Sequence, residues 1–318
     1  MRACDRMIRN GFVLFAALAA CTGESDPPAA PDAALLAPDA GNGAPAGYKR
    51  YIGSPITVQP GESGMWAEFV TAPFTEDMDV VDVTGTQGLG GHHAIMYATQ
   101  ESQPIATVRP WGSADQLGVR FLGGTGGEGG TAVKLPDGLV FRVLAGSSLL
   151  MQTHYINTTD AAIDMTSLID IRLEPSSADN RVAGLFTNVD PGVVATPGES
   201  SLTVECELQE SIDLAMWANH MHEWGARIVT TALLPDGTLI DVKRDEEWNY
   251  EWVVNANFDK RELGNPFTLP AGTLVKTECS WRNDGTTDIR FPDEMCVFFG
   301  FNSNGFDVNC VNGFWMRQ

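Results

Sequence analysis

The sequence predicts an all-β protein built from antiparallel β-sandwiches. Its apolar segments are short and are separated by Gly, Pro, Asn and Asp, the residues that end strands and form turns. No long stretch has the apolar period of an amphipathic helix. The chain has 318 residues, more than one hydrophobic core usually holds, so we expect two folded domains.

The strands are predicted from runs of apolar, β-branched and aromatic residues. The clearest predicted strands are Leu149–Asn157, Leu202–Leu208, Leu214–His222, Leu274–Trp281 and Met295–Phe301. The sequence Pro235–Gly237 lies between two apolar runs and predicts a hairpin turn. The polar segment Glu174–Asn180 divides the folded part into halves of similar length. We therefore expect one sandwich over residues 48–178 and a second over residues 179–318.

Residues 1–21 are predicted to be a targeting segment. Arginines precede a short apolar run, Phe12–Ala20, that is too short to span a bilayer comfortably. The run ends at Cys21 in Leu-Ala-Ala-Cys, which resembles a bacterial lipobox and predicts a lipid-modified N-terminus at Cys21. Thr22, in place of an aspartate, favours the outer membrane or cell surface. The alternative is an ordinary secretory signal with an incidental cysteine.

Composition sets two further expectations. Residues 22–47 are rich in Pro, Ala, Asp and Gly and contain few large apolar side chains, so we expect a disordered tether. The formal net charge is -21, which makes nucleic acid an unsuitable partner. Contact with the membrane is expected only through the lipid anchor.

The cysteines indicate disulfide bonds. The chain has six cysteines, and Cys4 and Cys21 belong to the targeting segment. The remaining cysteines all lie in the C-terminal half: Cys206, Cys279, Cys296 and Cys310. An even number in an exported protein predicts two disulfides, and the sequence does not choose among the three possible pairings.

The histidines form the main functional signal. The chain has five histidines, and a methionine follows them: His92 and His93, then His154, then His220 and His222, and finally Met295. Imidazole is the commonest metal ligand among side chains, and a thioether favours copper(I) over harder cations. Taken singly, a histidine is more often a hydrogen-bonded core or surface residue, and a methionine more often packs in a core. Together they predict two metal sites, at least one of them a copper site.

Local geometry supports these sites. His220 and His222 lie two residues apart on a predicted strand, so their side chains should share one face and chelate one ion. His92 and His93 are adjacent, and a regular strand would point them apart. Glycines just before this pair allow an irregular strand end or a bulge that turns both rings the same way.

Four motifs that contain these histidines and Met295 resemble, in the same order along the chain, those of the copper type II, ascorbate-dependent monooxygenases. This is the family of peptidylglycine α-hydroxylating monooxygenase and dopamine β-monooxygenase. The matching segments are the His-His pair His92–His93, Gln-x-His-Tyr at Gln152–Tyr155, His-x-His-x-x-Gly at His220–Gly225 and Asp-Glu-Met-Cys at Asp293–Cys296. The resemblance covers about residues 48–316 and is strongest after Val182.

The resemblance implies two jelly-roll-like antiparallel β-sandwich domains in tandem, with two coppers per chain. It assigns the first copper, which stores an electron, to His92, His93 and His154. It assigns the second copper, where O2 reacts with a substrate C–H bond, to His220, His222 and Met295. Ascorbate or another one-electron reductant would supply the electrons.

The resemblance also implies roles for residues outside these ligand sets. Gln152 would help to connect the two copper sites. The disulfides would pair Cys206 with Cys310 and Cys279 with Cys296.

Three positions depart from the peptide-amidating enzyme. Ala218 stands where that enzyme has the arginine that holds the peptide carboxylate, Phe299 replaces a tyrosine and Val297 replaces an asparagine. A peptidylglycine substrate is therefore not expected. The expected activity is hydroxylation of a C–H bond in an unidentified small-molecule or peptide substrate.

Two other functions fit parts of the pattern. A copper-holding lipoprotein without turnover could use the same scaffold. A zinc hydrolase or zinc-binding domain would suit the histidines, but Met295 argues against zinc in the second set. Such hydrolases usually keep a carboxylate base near the metal, and Glu223 on a strand would point away from both flanking histidines.

Overall fold

The computed structural model describes residues 43–112, 115, 118–127, 130 and 133–318, and its regular structure is almost entirely β. All of these residues fall within one compact unit, Leu36–Gln318. The predicted targeting segment, 1–21, and most of the predicted tether, 22–47, lie outside the described residues. Within them, no helix has the length and apolar character needed to cross a membrane.

Ten of the twelve described strands of the first half form two facing sheets, and the other two pair with each other in a separate two-stranded sheet. In chain order the strands are β1 Lys49–Ile52, β2 Ile56–Val58, β3 Ser63–Phe69, β4 Met78–Thr86, β5 Gly91–Thr99, β6 Val108–Pro110, β7 Val119–Gly126, β8 Leu139–Val143, β9 Ser148–Ile156, β10 Ile163–Met165, β11 Leu168–Pro175 and β12 Arg181–Val182. One sheet has the order β1-β11-β4-β8-β12, and the other has the order β6-β3-β9-β5-β7. Pairing is antiparallel except between β12 and β8. We call β1–β12 the first sandwich.

The strands of the second half also form two principal sheets. They are β13 Gly184–Val189, β14 Val194–Ala195, β15 Gly198–Glu207, β16 Ile212–His220, β17 Gly225–Leu233, β18 Leu239–Asp245, β19 Asp259–Lys260, β20 Phe267–Leu269, β21 Leu274–Asn283, β22 Ile289–Arg290, β23 Val297–Asn302, β24 Val308–Val311 and β25 Phe314–Arg317, with a 3-10 helix at Tyr250–Val253. The principal sheets have the orders β19-β16-β23-β13-β24-β25 and β15-β21-β17-β18. We call β13–β25 the second sandwich.

One hydrophobic core runs from the first sandwich into the second. It contains buried residues of both sheets of the first sandwich together with Ala215, Met216 and Phe301 of the second. The ring centroid of Phe301 lies 5.5 Å from that of Phe121 on β7. This continuous apolar packing sets β5, β7 and β9 beside β16 and β23, the strands that end at the candidate site.

The structure confirms the predicted all-β sandwich fold. It also confirms the hairpin turn at Pro235–Gly237, where the N–H of Gly237 donates to the carbonyl of Leu234 between β17 and β18. The segment Ser176–Asn180 lies between β11 and β12, at the predicted boundary. Because the hydrophobic core continues past this segment, the division into domains 48–178 and 179–318 stays a prediction.

Two strand boundaries at the site were predicted wrongly. β16 ends at His220 rather than at His222, and β23 begins at Val297 rather than at Met295. The physical reason is that the N–H groups of His222 and Met295 donate to a side-chain carboxylate and not to a neighbouring strand. Hydrophobic runs indicate where a strand is buried, but they do not show where its ladder hydrogen bonds stop.

Disulfides join Cys206 to Cys310 and Cys279 to Cys296, the pairing implied by the resemblance. Cys206 on β15 and Cys310 on β24 tie together the two principal sheets of the second sandwich. Cys296 directly follows Met295 and is fully buried against Cys279 of β21. The second disulfide therefore anchors the segment that carries the predicted thioether ligand.

We expect removal of Cys206–Cys310 to lower the free energy of unfolding more than removal of Cys279–Cys296. The first disulfide spans 104 residues and the second spans 17. Loop-closure entropy alone gives about 4.7 kcal/mol for a loop of roughly 100 residues and about 3 kcal/mol for one of roughly 15 residues. Denaturant unfolding of the metal-free paired Cys→Ala variants measures both losses. Equal losses, or a larger loss for the short loop, would contradict this order.

Candidate metal centre

His92 and His93 sit at an irregularity at the start of β5. The register between β5 and β9 shifts between Gly91 and His93, which confirms the predicted bulge. Gly90, just before it, has a φ of +78°, and a Cβ there would meet Met165 Cε at 2.4 Å. The positive φ favours glycine at position 90, because L side chains rarely adopt it. The shifted register frees the two adjacent imidazoles from strict alternation across the sheet.

These two rings meet His154 across the β5–β9 pair. His93 is the register partner of His154, and one ligand nitrogen from each of His92, His93 and His154 lies within 4.8 Å of the others. The Nδ1 atoms of His92 and His93 are 3.0 Å apart. Three nitrogens at this spacing are arranged as the ligands of one cation.

The hydrogen bonding of His154 supports a metal at this point. Its Nε2 lies 3.2 Å from the Ser63 hydroxyl oxygen. Its Nδ1 is buried and has no hydrogen-bond partner among the described residues. A buried polar atom without a partner is costly, and metal-ligating histidines usually engage their other ring nitrogen in a hydrogen bond. The residues present therefore fit a metal ion bound through His154 Nδ1.

His220 and His222 form a second converging pair. Their Nε2 atoms are 3.1 Å apart. His222 Nδ1 lies 3.1 Å from the carbonyl oxygen of Asp293, and Trp248 Nε1 donates to the His222 carbonyl at 3.0 Å. Donation of the Nδ1 proton to that carbonyl leaves the Nε2 lone pair free for a metal. The pair forms although His222 lies outside the strand, so the prediction of convergence is right and its strand geometry is wrong.

The backbone of Met295 lies close to that of His222. In the antiparallel pairing of β16 with β23, the ladder ends at His220 opposite Val297. Beyond it, the N–H groups of His222 and Met295 both donate to one oxygen of Glu294. Met295 is partly buried and lies two residues after Asp293, whose carbonyl contacts the His222 ring.

The two histidine sets meet one another. The ring centroid of His92 lies 4.7 Å from that of His222 and 4.6 Å from that of His154. His92 is thus in ring contact with a residue of the second sandwich. We call His92, His93, His154, His220 and His222 the histidine cluster. The sequence assigned these residues to two ligand sets and gave no signal that the sets would be in contact.

Burial keeps the cluster neutral. It lowers the pKa of His154 to about 2, of His220 to about 3 and of His222 to about 4. Burial and the neighbouring imidazoles also lower the pKa values of His92 and His93 well below the ordinary value, although hydrogen bonding with Gln152 opposes the shift at His93. At neutral pH every imidazole is therefore in the form that binds metals.

The remaining residues singled out in the sequence lie around the histidine cluster or in the turn after β16. Gln152 is 2% exposed and sits beside His93. Ala218 is fully buried and pairs with Phe299. Glu223 lies in an exposed turn after β16, so its placement on a strand was wrong. Its carboxylate faces solvent. A general base that acts at a metal would instead face the metal.

Sequence reasoning missed two residues that orient the ligands. Ser63 lies at the start of β3 and contacts His154, and Trp248 holds the backbone of His222. Both act through long-range contacts. Neither belongs to a motif, so no local pattern could have identified them.

Neither a protein-family model nor a curated protein sequence matches this chain. Among solved structures, an infectious bursal disease virus structure (Gx strain) is 10% identical over 80% of this chain and 69% of that chain, with a TM-score of 0.21. The VP2 subviral particle of that virus is 11% identical over 81% and 72%, with a TM-score of 0.21. An oxalate decarboxylase from Bacillus subtilis is 8% identical over 85% and 71%, with a TM-score of 0.16. Likenesses this weak carry no argument about fold or function.

We expect the folded chain to take up about two copper ions, because the ligand nitrogens converge at two points. Metal analysis after copper loading measures the number of ions bound, and electron paramagnetic resonance of the copper(II) form reports whether the ligands are nitrogens. Retention of zinc at both points in preference to copper(I) would contradict the assignment.

We expect the metal-free protein to lose stability as the pH falls below about 6.5. Unfolded histidine binds a proton near pH 6.5, whereas folded His154 does so only near pH 2. The stability is therefore complete above pH 6.5 and falls with pH by about 1.4 kcal/mol per unit for each such residue. Urea unfolding between pH 6 and pH 4 should show a shallower slope for His154→Gln than for the wild type. An unchanged slope would show that His154 is protonated in the folded state.

Proposed function

We propose that this chain is a copper-dependent monooxygenase that hydroxylates a C–H bond of an organic substrate. One oxygen atom of O2 enters the substrate and the other leaves as water. Ascorbate, or another one-electron reductant, supplies the two electrons, and solvent supplies the two protons. The enzyme is proposed to act outside the cytoplasm as a lipoprotein anchored through Cys21.

The observation that carries the proposal is the convergence of ligand atoms in the histidine cluster. The group formed by His92, His93 and His154 contains a buried Nδ1 without a partner among the described residues. His220 and His222 point their Nε2 atoms at one another. Two nitrogen sets, the second proposed to be completed by the Met295 thioether, suit two coppers with different roles better than one structural zinc.

Bound copper would supply the one-electron chemistry and the activation of O2. The residues of the chain supply the environment. His92, His93 and His154 would hold the electron-storing copper, while His220, His222 and Met295 would hold the copper at which substrate reacts. Ser63 and the Asp293 carbonyl fix which imidazole nitrogen is free to bind. Gln152, buried beside His93, lies where it can help to connect the sites.

The proposed substrate is neutral or weakly polar. Ala218 is fully buried, and its register partner Phe299 also has an apolar side chain. A substrate carboxylate brought to this position would lose its hydration without finding a charged partner. This environment supports the departure from peptidylglycine chemistry, for which a carboxylate-binding arginine is needed at that position.

Oxygen consumption by the copper-loaded protein, with ascorbate and a library of organic compounds, tests the proposal. Hydroxylated product should form in step with the oxygen consumed. Stable loading with two coppers but no substrate-dependent turnover would instead support a copper-holding lipoprotein. Failure to bind copper at the histidine cluster would exclude both functions.

We expect Met295→Ala to abolish hydroxylation while one copper stays bound to His92, His93 and His154. The thioether belongs only to the second ligand set, so its loss should not empty the first. Met316→Ala, at a partly exposed methionine on β25, is the matched control and should leave turnover unchanged. Product analysis and copper content of the two variants check this, and full activity of Met295→Ala would remove Met295 from the site.

A further inference from the structure

Glu294 is a fully buried acid between two segments that carry proposed metal ligands. Its Oε1 accepts the N–H of His222 at 2.7 Å and the N–H of Met295 at 2.9 Å. Its Oε2 accepts the N–H of Trp224 at 3.1 Å. A single carboxylate thus joins the backbone that follows β16 to the backbone that precedes β23.

These segments lie where the sheet no longer holds the chain. The ladder between β16 and β23 ends at the pair His220–Val297, and β17 begins at Gly225. The N–H groups of His222 and Met295 therefore have no strand partner at this point. A buried N–H without an acceptor is destabilising, and the carboxylate satisfies both groups with one oxygen.

Among the described residues, no cationic side chain forms an ion pair with this acid. It accepts hydrogen bonds from the backbone N–H groups of His222, Trp224 and Met295, and hydrogen bonding with the Trp281 side chain also favours its charged form. The neighbouring core includes Met221 and Cys296. Burial raises the pKa of Glu294, and these N–H donors oppose the rise. An apolar side chain would fill the space without this desolvation, but it could not join the two ligand segments.

We propose that Glu294 is a positioning residue that fixes the spacing between His222 and Met295, so that an imidazole and a thioether close on the same metal ion. The inference rests on the proposed copper site. Because His222 also contacts the ring of His92, the same carboxylate holds the point at which the two ligand sets meet.

Replacement of Glu294 by glutamine and by alanine separates its contacts to the two ligand segments from its contact to Trp224. In Glu294→Gln the amide oxygen can still accept from His222 and Met295, while its NH2 group faces the N–H of Trp224 and that bond is lost. In Glu294→Ala both acceptor oxygens, and with them all three backbone hydrogen bonds, are lost. The matched control is Glu68→Ala, which removes a largely buried carboxylate of the first sandwich that accepts the N–H of Ser54 at 2.6 Å.

X-ray absorption of the copper(I)-loaded full chain reports copper–sulfur scattering directly. Wild type, Glu294→Gln and Glu68→Ala should show it. Glu294→Ala should lose it, keep the copper–nitrogen scattering of the first set and bind its second copper about 10–100-fold more weakly. If Glu294→Ala does not fold, Glu294→Asp, too short to reach both segments, carries the same expectation.

The outcomes distinguish the inference from the proposed function. Absence of copper–sulfur scattering in the wild type would remove Met295 as a ligand and the premise with it. Scattering that persists at wild-type affinity in Glu294→Ala or Glu294→Asp would overturn the positioning role while leaving the copper site intact. Loss of scattering in Glu68→Ala as well would assign the effect to general destabilisation.

Discussion

The burial of five neutral imidazoles at one place is the constraint on which the structure depends. Each ring loses hydration, and their low pKa values mean that none regains it by taking up a proton at neutral pH. The ring nitrogens of His92 and His93, and those of His220 and His222, face one another at about 3 Å. Two such nitrogens cannot form a hydrogen bond with each other when neither carries a proton. A cation bound between them, as proposed, would turn this unfavourable arrangement into a ligand set.

The fold supplies this arrangement by ending strands at the same place. β5 brings two histidines to a bulge, β9 brings the third opposite them, and β16 ends with the fourth. The continuous core between the sandwiches then fixes how these strand ends approach, through contacts such as Phe121 with Phe301. The rings of His92 and His222, which belong to different sandwiches, are in contact because the strands that carry them pack around one hydrophobic core.

Much of the fold could be predicted from the sequence, and so could the two disulfides and the histidines that the structure brings together. Alternation and turn residues indicated the strands and the Pro235–Gly237 hairpin, because these signals are local. The exact ends of β16 and β23 could not be predicted, because they depend on a distant carboxylate that takes over two backbone N–H groups. For the same reason the roles of Ser63 and Trp248, and the contact between His92 and His222, appear only when the chain is folded.

Anomalous diffraction at the copper absorption edge from crystals of the copper-loaded protein tests the central claim most directly. The account predicts one anomalous peak among the Nδ1 atoms of His92, His93 and His154, and a second beside the Nε2 atoms of His220 and His222. Copper bound elsewhere on the chain, with the five imidazoles hydrogen-bonded only to one another, would contradict it.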